Sequence, residues 1–164
     1  MKRNLNDNMI RIGMAEYKVA RAPAILCALG IGSCVVICMY DPVRKIGGMA
    51  HVMLPQGEPG KSNGGKYANT AIPLLVDLME KHGAEKRNLE VKIIGGAQMF
   101  NLNNAEDLMR IGIRNVETAV RVLNGLGLTV KAASTGGNYG KSVFLDTETG
   151  RIFYRTAVDD DVEL

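Results

Sequence analysis

Cys34 follows Gly32 and Ser33, where the chain can bend. His51 lies 17 residues later, within the otherwise apolar stretch Gly47-Gly48-Met49-Ala50-His51-Val52-Met53-Leu54-Pro55. A bend beside a thiol can leave backbone N–H groups turned outward, and such donors stabilise an oxyanion. An imidazole at hydrogen-bond distance would hold the thiol as thiolate and could later protonate a leaving amine. For the pair to meet, the two segments must be neighbouring strands joined through the Asp41-Pro42 turn. Spacing alone leaves a second reading open, a buried thiol and a hydrogen-bonded core histidine, because free cysteine is among the most buried residue types.

Other constellations fail on spacing. Gly30-Ile31-Gly32-Ser33-Cys34-Val35 has the first two glycines of a dinucleotide fingerprint, but Val35 stands at the third position and a β-rich run follows where a helix is needed. Gly136-Gly137-Asn138-Tyr139-Gly140-Lys141-Ser142 has three residues between Gly136 and Gly140 where a phosphate loop requires four, and Gly57-Glu58-Pro59-Gly60-Lys61-Ser62 has two. Cys34 and Cys38 on one strand face would stand about 13 Å apart, too far to share an ion, so no metal is expected. His82 falls at the end of a helix, where a cation favours the negative dipole end.

The positioning elements follow from periodicity. Strands are expected over 11–20, 24–29, 35–40, 46–54, 89–94, 129–133, 142–145 and 152–155, the last pair joined as a hairpin through Asp146-Thr147-Glu148-Thr149-Gly150. A first helix runs from Asn69 or Thr70 to Gly83, with Pro73 in its first turn. A second covers about 113–123, with Val116, Ala119, Val120 and Leu123 inward. The glycine-rich 56–65 reads as an exposed loop, and the Gly95-Gly96 and Gly136-Gly137 pairs as turns or close backbone packing. Strands outnumber helices without alternating regularly with them, which predicts an α+β fold, two helices on sheet layers, over a doubly wound parallel sheet.

Composition bounds the rest. The chain has 164 residues, 46% of them hydrophobic, 23% charged, with 19 glycines and a net charge of +3. One domain over 1–164 is expected, with about 1–10 and 157–164 as flexible ends. The charge is far below the positive field that nucleic-acid binding uses. The longest apolar passage, 22–40, is broken by Pro23, Gly30, Gly32 and Ser33, so no membrane insertion is expected. Three clustered cysteines and a polar start point to a reducing, cytoplasmic setting.

Six blocks occur in order: Leu29-Gly30-Ile31-Gly32-Ser33-Cys34-Val35, Ala50-His51-Val52-Met53-Leu54-Pro55, Lys66-Tyr67-Ala68-Asn69-Thr70-Ala71, Gly95-Gly96-Ala97-Gln98-Met99-Phe100, Ile111-Gly112-Ile113-Arg114-Asn115-Val116 and Thr135-Gly136-Gly137-Asn138. Together they resemble the successive motifs of the CheD family of chemoreceptor glutamine deamidases. The resemblance implies a chemotaxis protein that hydrolyses glutamine side-chain amides on receptor cytoplasmic helices to glutamate and ammonia. Cys34 would be the nucleophile and His51 the general base and acid, with no cofactor.

Gly32, Ser33, Phe100 and Asn138 would support the dyad or contact substrate. The implied partners are chemoreceptor cytoplasmic domains and a CheC-type phosphatase, with a monomer when alone. The implied fold is a layered β-sandwich with helices on one side, similar to the catalytic domain of cytotoxic necrotizing factor toxins. The resemblance departs at Ala28, where the family usually carries a threonine that supports the histidine. The imidazole must then be oriented by water or a backbone carbonyl. The same departure implies an alternative function, a weakly active or inactive binding module that regulates the phosphatase. Ser134 and Asn69 also stand where acidic residues are common.

Overall fold

Val35-Val36-Ile37-Cys38-Met39-Tyr40-Asp41 has no polar alternation, and a strand of that kind must be covered on both faces. In the computed structural model, which describes residues 8–61, 63–98 and 110–164, this segment is strand β4 (Val35–Asp41), buried throughout. It lies between β5 (Ile46–Val52) and β6 (Glu90–Gly95) at the centre of a five-stranded sheet ordered β2-β5-β4-β6-β7. The outer strands are β2 (Tyr17–Arg21) and β7 (Val130–Thr135). A second five-stranded sheet, ordered β1-β3-β8-β9-β10, packs against it. Its strands are Met9–Arg11, Ile25–Ile31, Lys141–Asp146, Ile152–Arg155 and Val162–Glu163. Each sheet is mixed, with one parallel pair, β1·β3 and β6·β7 respectively.

Alternation along β4 separates two cores. Val35, Ile37 and Met39 join the cluster under helices α1 (Ala68–Lys81) and α2 (Ile111–Gly125), whereas Val36, Cys38 and Tyr40 join the cluster between the sheets. On α1, Ile72, Leu75 and Met79 are fully buried against the sheet. Each contributes about 1.5–3 kcal/mol by leaving water. The α+β layering expected from the sequence is therefore the observed architecture, with α1 and α2 on one side of the sheet pair.

Several local expectations are corrected. The single strand expected over 11–20 is two strands in different sheets, β1 and β2, separated by a turn in which Glu16 Oε2 accepts the Gly13 N–H at 2.8 Å and Ala15 takes φ 64°. Its alternation is only partial because it serves two sheets. Helix α1 starts at Ala68, which puts Pro73 beyond the first turn. The early start needs no side-chain cap, because the first N–H groups are taken by carbonyls just after β5: Ala68 donates to Leu54 and Asn69 to Pro55. Asn69 also bonds both backbone groups of Gly57, which pins the glycine-rich loop and uses a donor that aspartate lacks. The acidic tail, expected to be a free end, carries β10 and pairs with arginines, Arg151 with Glu163 and Arg155 with Asp161. His82 does end α1, with Nδ1 2.9 Å from the Leu78 carbonyl.

The β4–β5 turn fixes the register that the site depends on. Asp41 is inaccessible to solvent, and its Oδ1 accepts the N–H groups of Val43 and Arg44 while Oδ2 accepts that of Glu85 and the Asn88 amide. Burial pushes this carboxyl up, but those donors outweigh it and the net shift is down from 3.8. Stability from Asp41 is thus present above the ordinary carboxyl pKa and is lost as pH falls through the lowered folded value. Asp41→Asn places an amide against the Glu85 N–H and should destabilise by about 1–3 kcal/mol at pH 7. Urea unfolding at pH 7 and below 3.8 checks it: the gap from wild type should shrink at the lower pH.

Candidate active site

In the β4–β5 ladder Val36 faces His51, and Val35 faces Val52. Side chains two apart on a strand share a face. Cys34 leads into β4 two residues before Val36, and it packs against the inter-sheet cluster that holds Val36 and Met49. Cys34 and His51 are therefore diagonal neighbours across the ladder, on the face turned toward the second sheet. Such diagonals run about 7–8 Å between backbones, within reach of a long side chain. The register brings the two segments side by side as neighbouring strands.

The loop that carries Cys34 is held by its carbonyls. Gly32 O accepts from Ala97 N at 2.9 Å, Ser33 O from Asn115 Nδ2 at 3.0 Å, and Cys34 O from Gly96 N at 2.8 Å. In a planar trans peptide the N–H points opposite to the C=O. Anchoring the Gly32 and Ser33 carbonyls therefore turns the N–H groups of Ser33 and Cys34 the other way. The Cys34 N–H lies against its own sulfur. Two glycines permit this fit: Gly95, at φ 119°, has the Cys34 carbonyl where a Cβ would stand, and Gly96, at φ 67°, faces Gly112 of α2. A methyl on Gly112 would sit 2.6 Å from the Gly96 oxygen. Both pairs expected to be turns or close packing have that role here, since Gly136 donates to Gly95 O and Gly137 O accepts from Gln98 N.

His51 is 4% exposed and anchored on three sides. Its N–H donates to Glu16 O at 3.0 Å, its carbonyl accepts from Ala15 N at 2.9 Å, and ring Nδ1 lies 3.3 Å from the carbonyl oxygen of Ile12. A carbonyl can only accept, so the proton sits on Nδ1 and the lone pair on Nε2. Ile12 is itself fixed by donating its N–H to Cys27 O at 2.8 Å. Of the two supports expected in place of a hydroxyl at Ala28, water or a backbone carbonyl, this is the carbonyl; the Ala28 methyl is buried between the sheets.

Burial pushes the Cys34 thiol above 9.0, and the contact with its own N–H draws it partly back. Burial pushes His51 below 6.5, opposed by the Ile12 bond and the nearby Glu16 carboxylate. Near neutrality these directions leave Cys34 as a thiol and His51 as a neutral imidazole, rather than the thiolate expected from the sequence. Cys38, sealed between the sheets, is pushed up to about 12. Cys27 points to the outer face of the second sheet, against Phe144.

Among the other expected residues, Gly32 and Ser33 form the loop, Asn138 is exposed in the turn between β7 and β8, and Phe100 lies outside the described residues. Sequence reasoning missed Ile12, Glu16 and the role of Asn115. Ile12 acts through its carbonyl, which no side-chain pattern can reveal. Asn115 did leave a signal, a polar residue one turn from Ala119 on the buried face of α2.

The family described as CheD chemotactic sensory transduction matches residues 53–156. Among curated proteins, the "Probable chemoreceptor glutamine deamidase CheD" of Clostridium novyi is 44% identical over 154 residues, 93% of this chain and 95% of that one. The "Chemoreceptor glutamine deamidase CheD" of Thermotoga maritima is 46% identical over 144 residues, covering 88% and 89%. The protein of the same description from Halalkalibacterium halodurans is 40% identical over 163 residues, covering 98% and 100%. Among solved structures, the Bacillus licheniformis hypothetical protein YfiH aligns with 16% identity and a TM-score of 0.47, over 73% of this chain and about half (49%) of its own length.

The electrostatics set an order of thiol reactivity. Iodoacetamide should modify Cys34 first, at a rate that climbs with pH beyond 9.0, while Cys27 and Cys38 stay protected until the protein unfolds. Peptide mass spectrometry across a pH series checks this. A Cys34 rate already flat at pH 7 would show a resting thiolate and overturn it.

Proposed function

The chain belongs to the CheD family, and from that premise we propose that it is a chemoreceptor glutamine deamidase with Cys34 as nucleophile and His51 as general base and acid. The observation that carries the residue assignment is the shared inter-sheet face of Cys34 and His51, with the imidazole tethered at Nδ1 so that Nε2 is left for chemistry. The substrate is a glutamine side chain presented by a receptor cytoplasmic helix, and the protein acts in the cytoplasm where those helices lie.

Each step is assigned to a named group of this chain. Cys34 Sγ attacks the amide carbon as Nε2 of His51 takes the thiol proton, so no standing thiolate is needed. The oxygen that becomes negative is met by the N–H groups of Cys34 and Ser33, turned outward by their anchored peptides. The carbon–nitrogen bond then breaks as the imidazolium returns the proton to departing ammonia. A thioester remains on Cys34. His51 next takes a proton from water, the hydroxide attacks the thioester carbon, and the carbon–sulfur bond breaks to give glutamate and the restored thiol.

One observation favours a second reading. Ala28 puts a methyl where relatives of this family usually carry a hydroxyl, which suits a module whose work is to bind and regulate a CheC-type phosphatase. That role would survive loss of Cys34. The Ile12 carbonyl weighs for the first reading, because it meets the same need from the backbone.

Incubation with receptor cytoplasmic fragments should convert specific glutamines to glutamates, read by mass spectrometry. Cys34→Ala should reduce the rate by on the order of 10⁴-fold or more. No conversion on a cognate receptor would sink the proposal. A neutral imidazole and a protonated thiol are both needed, so the rate should fall as pH drops through the lowered His51 value and again above 9.0. Ala28→Thr should change the rate little, since Nδ1 carries one proton and Ile12 already accepts it. A large gain would mean that the missing hydroxyl limits the dyad.

A further inference from the structure

Asn115 is a fully buried side chain on α2 whose amide nitrogen bonds two backbone carbonyls from separate segments, Ser33 and Met53, each at 3.0 Å. Ser33 immediately precedes Cys34, and Met53 comes two residues after His51. The orientation of the amide is fixed by chemistry, since two carbonyl oxygens require donors and a reversed amide would set three oxygens together. Its Oδ1 is the buried side-chain atom without a hydrogen-bond partner among the described residues. The side chain therefore accepts an unmet group in order to place both hydrogens on those carbonyls.

From this geometry we infer that Asn115 is a positioning residue for the dyad: it holds the Ser33–Cys34 peptide with its N–H outward and ties that peptide to the strand that carries His51. The inference rests on the reading of Cys34 and His51 as the reacting pair. The carbonyl of Ser33 and the N–H of Cys34 belong to one rigid peptide unit, so a hydrogen bond at one end aims the donor at the other. The second hydrogen bond keeps the exit of β5 at a set distance from the same amide. Without it, among the described residues, the nucleophile loop and the His51 strand are joined through the first residues of the β4–β5 ladder, where pairing ends. A displacement of about 1 Å at such a site costs on the order of 100-fold in rate.

The test compares Asn115→Ala and Asn115→Asp with wild type, using Val120→Ala as a control that loosens the same helix away from the two carbonyls. Aspartate keeps the shape and removes both donors, so it serves if the alanine variant does not fold. Imidazole nitrogen resonances report the His51 tautomer whether or not any glutamine is hydrolysed, and His82 is the one other histidine in the chain. In wild type, His51 should carry its proton on Nδ1, and the Asn115 side-chain amide protons should exchange slowly with solvent.

In the Asn115 variants the imidazole signals should shift toward a mixture of tautomers. For glutamine conversion, kcat should fall about 100-fold with KM nearly unchanged. Val120→Ala should leave both readouts as in wild type. Unchanged imidazole signals and kcat in the Asn115 variants, equal changes in Val120→Ala, or fast exchange of the wild-type amide would each overturn the inference. Absence of any wild-type deamidation would instead count against the proposed function, and the imidazole and amide readouts would still decide the role of Asn115.

Discussion

Pairing of Val36 with His51 decides which side chains meet at the mouth between the sheets. Strand faces alternate with a period of two, so a slip of one residue would turn His51 into the helix-facing core and bring Ala50 or Val52 to the mouth. The ladder cannot slip because its closed end is locked by the buried Asp41 carboxylate, which bonds its own turn and the Glu85 segment beyond α1. The open end is locked by Asn115. Between the two clamps the strand is buried, and Tyr40, next to the Asp41 end, donates its hydroxyl to the Thr147 carbonyl at 2.7 Å. Specificity is thus imposed from both ends, by one charged side chain and one neutral amide.

Much of the fold was legible because period and burial agree. The run 35–40 had no polar alternation and became the central strand, and α1 and α2 fell where apolar residues recur at helical spacing. The segment 11–20 was misread because its residues serve two sheets in turn, and a pattern split by the five residues 12–16 has no single period. At the site, Cys34 and His51 stood out by residue type, and Gly95 and Gly96 by their pairing. What orients the imidazole did not stand out, since Ile12 contributes a carbonyl that every residue possesses. Backbone acceptors become visible only when tertiary pairing brings them to a side chain.

The proton inventory of the resting site follows from the same layering. A mouth between two apolar sheets disfavours charge on either partner, so it raises the thiol and lowers the imidazole together. In the proposed reaction, charge separation arises during attack, when a developing oxyanion and an imidazolium can stabilise one another. A thiol held protonated by burial reacts slowly with electrophiles and oxidants. The Glu16 carboxylate, carried by the loop that supplies the Ile12 carbonyl, favours the imidazolium once it forms.

The contact between Gly96 and Gly112 has a consequence for how the sequence can drift. Where helix and strand meet through side chains, exchange of one aliphatic residue for another shifts the elements by fractions of an ångström, and successive exchanges accumulate. Here the strand exit and the helix start approach backbone to backbone at Gly96 and Gly112, beside the Val116 methyl. The spacing between α2 and the nucleophile loop is a fixed length, insulated from repacking elsewhere in the core. A side chain at either glycine would push the helix that carries Asn115 away from the loop that carries Cys34, so the separation is set by two residues that have no side chain to vary.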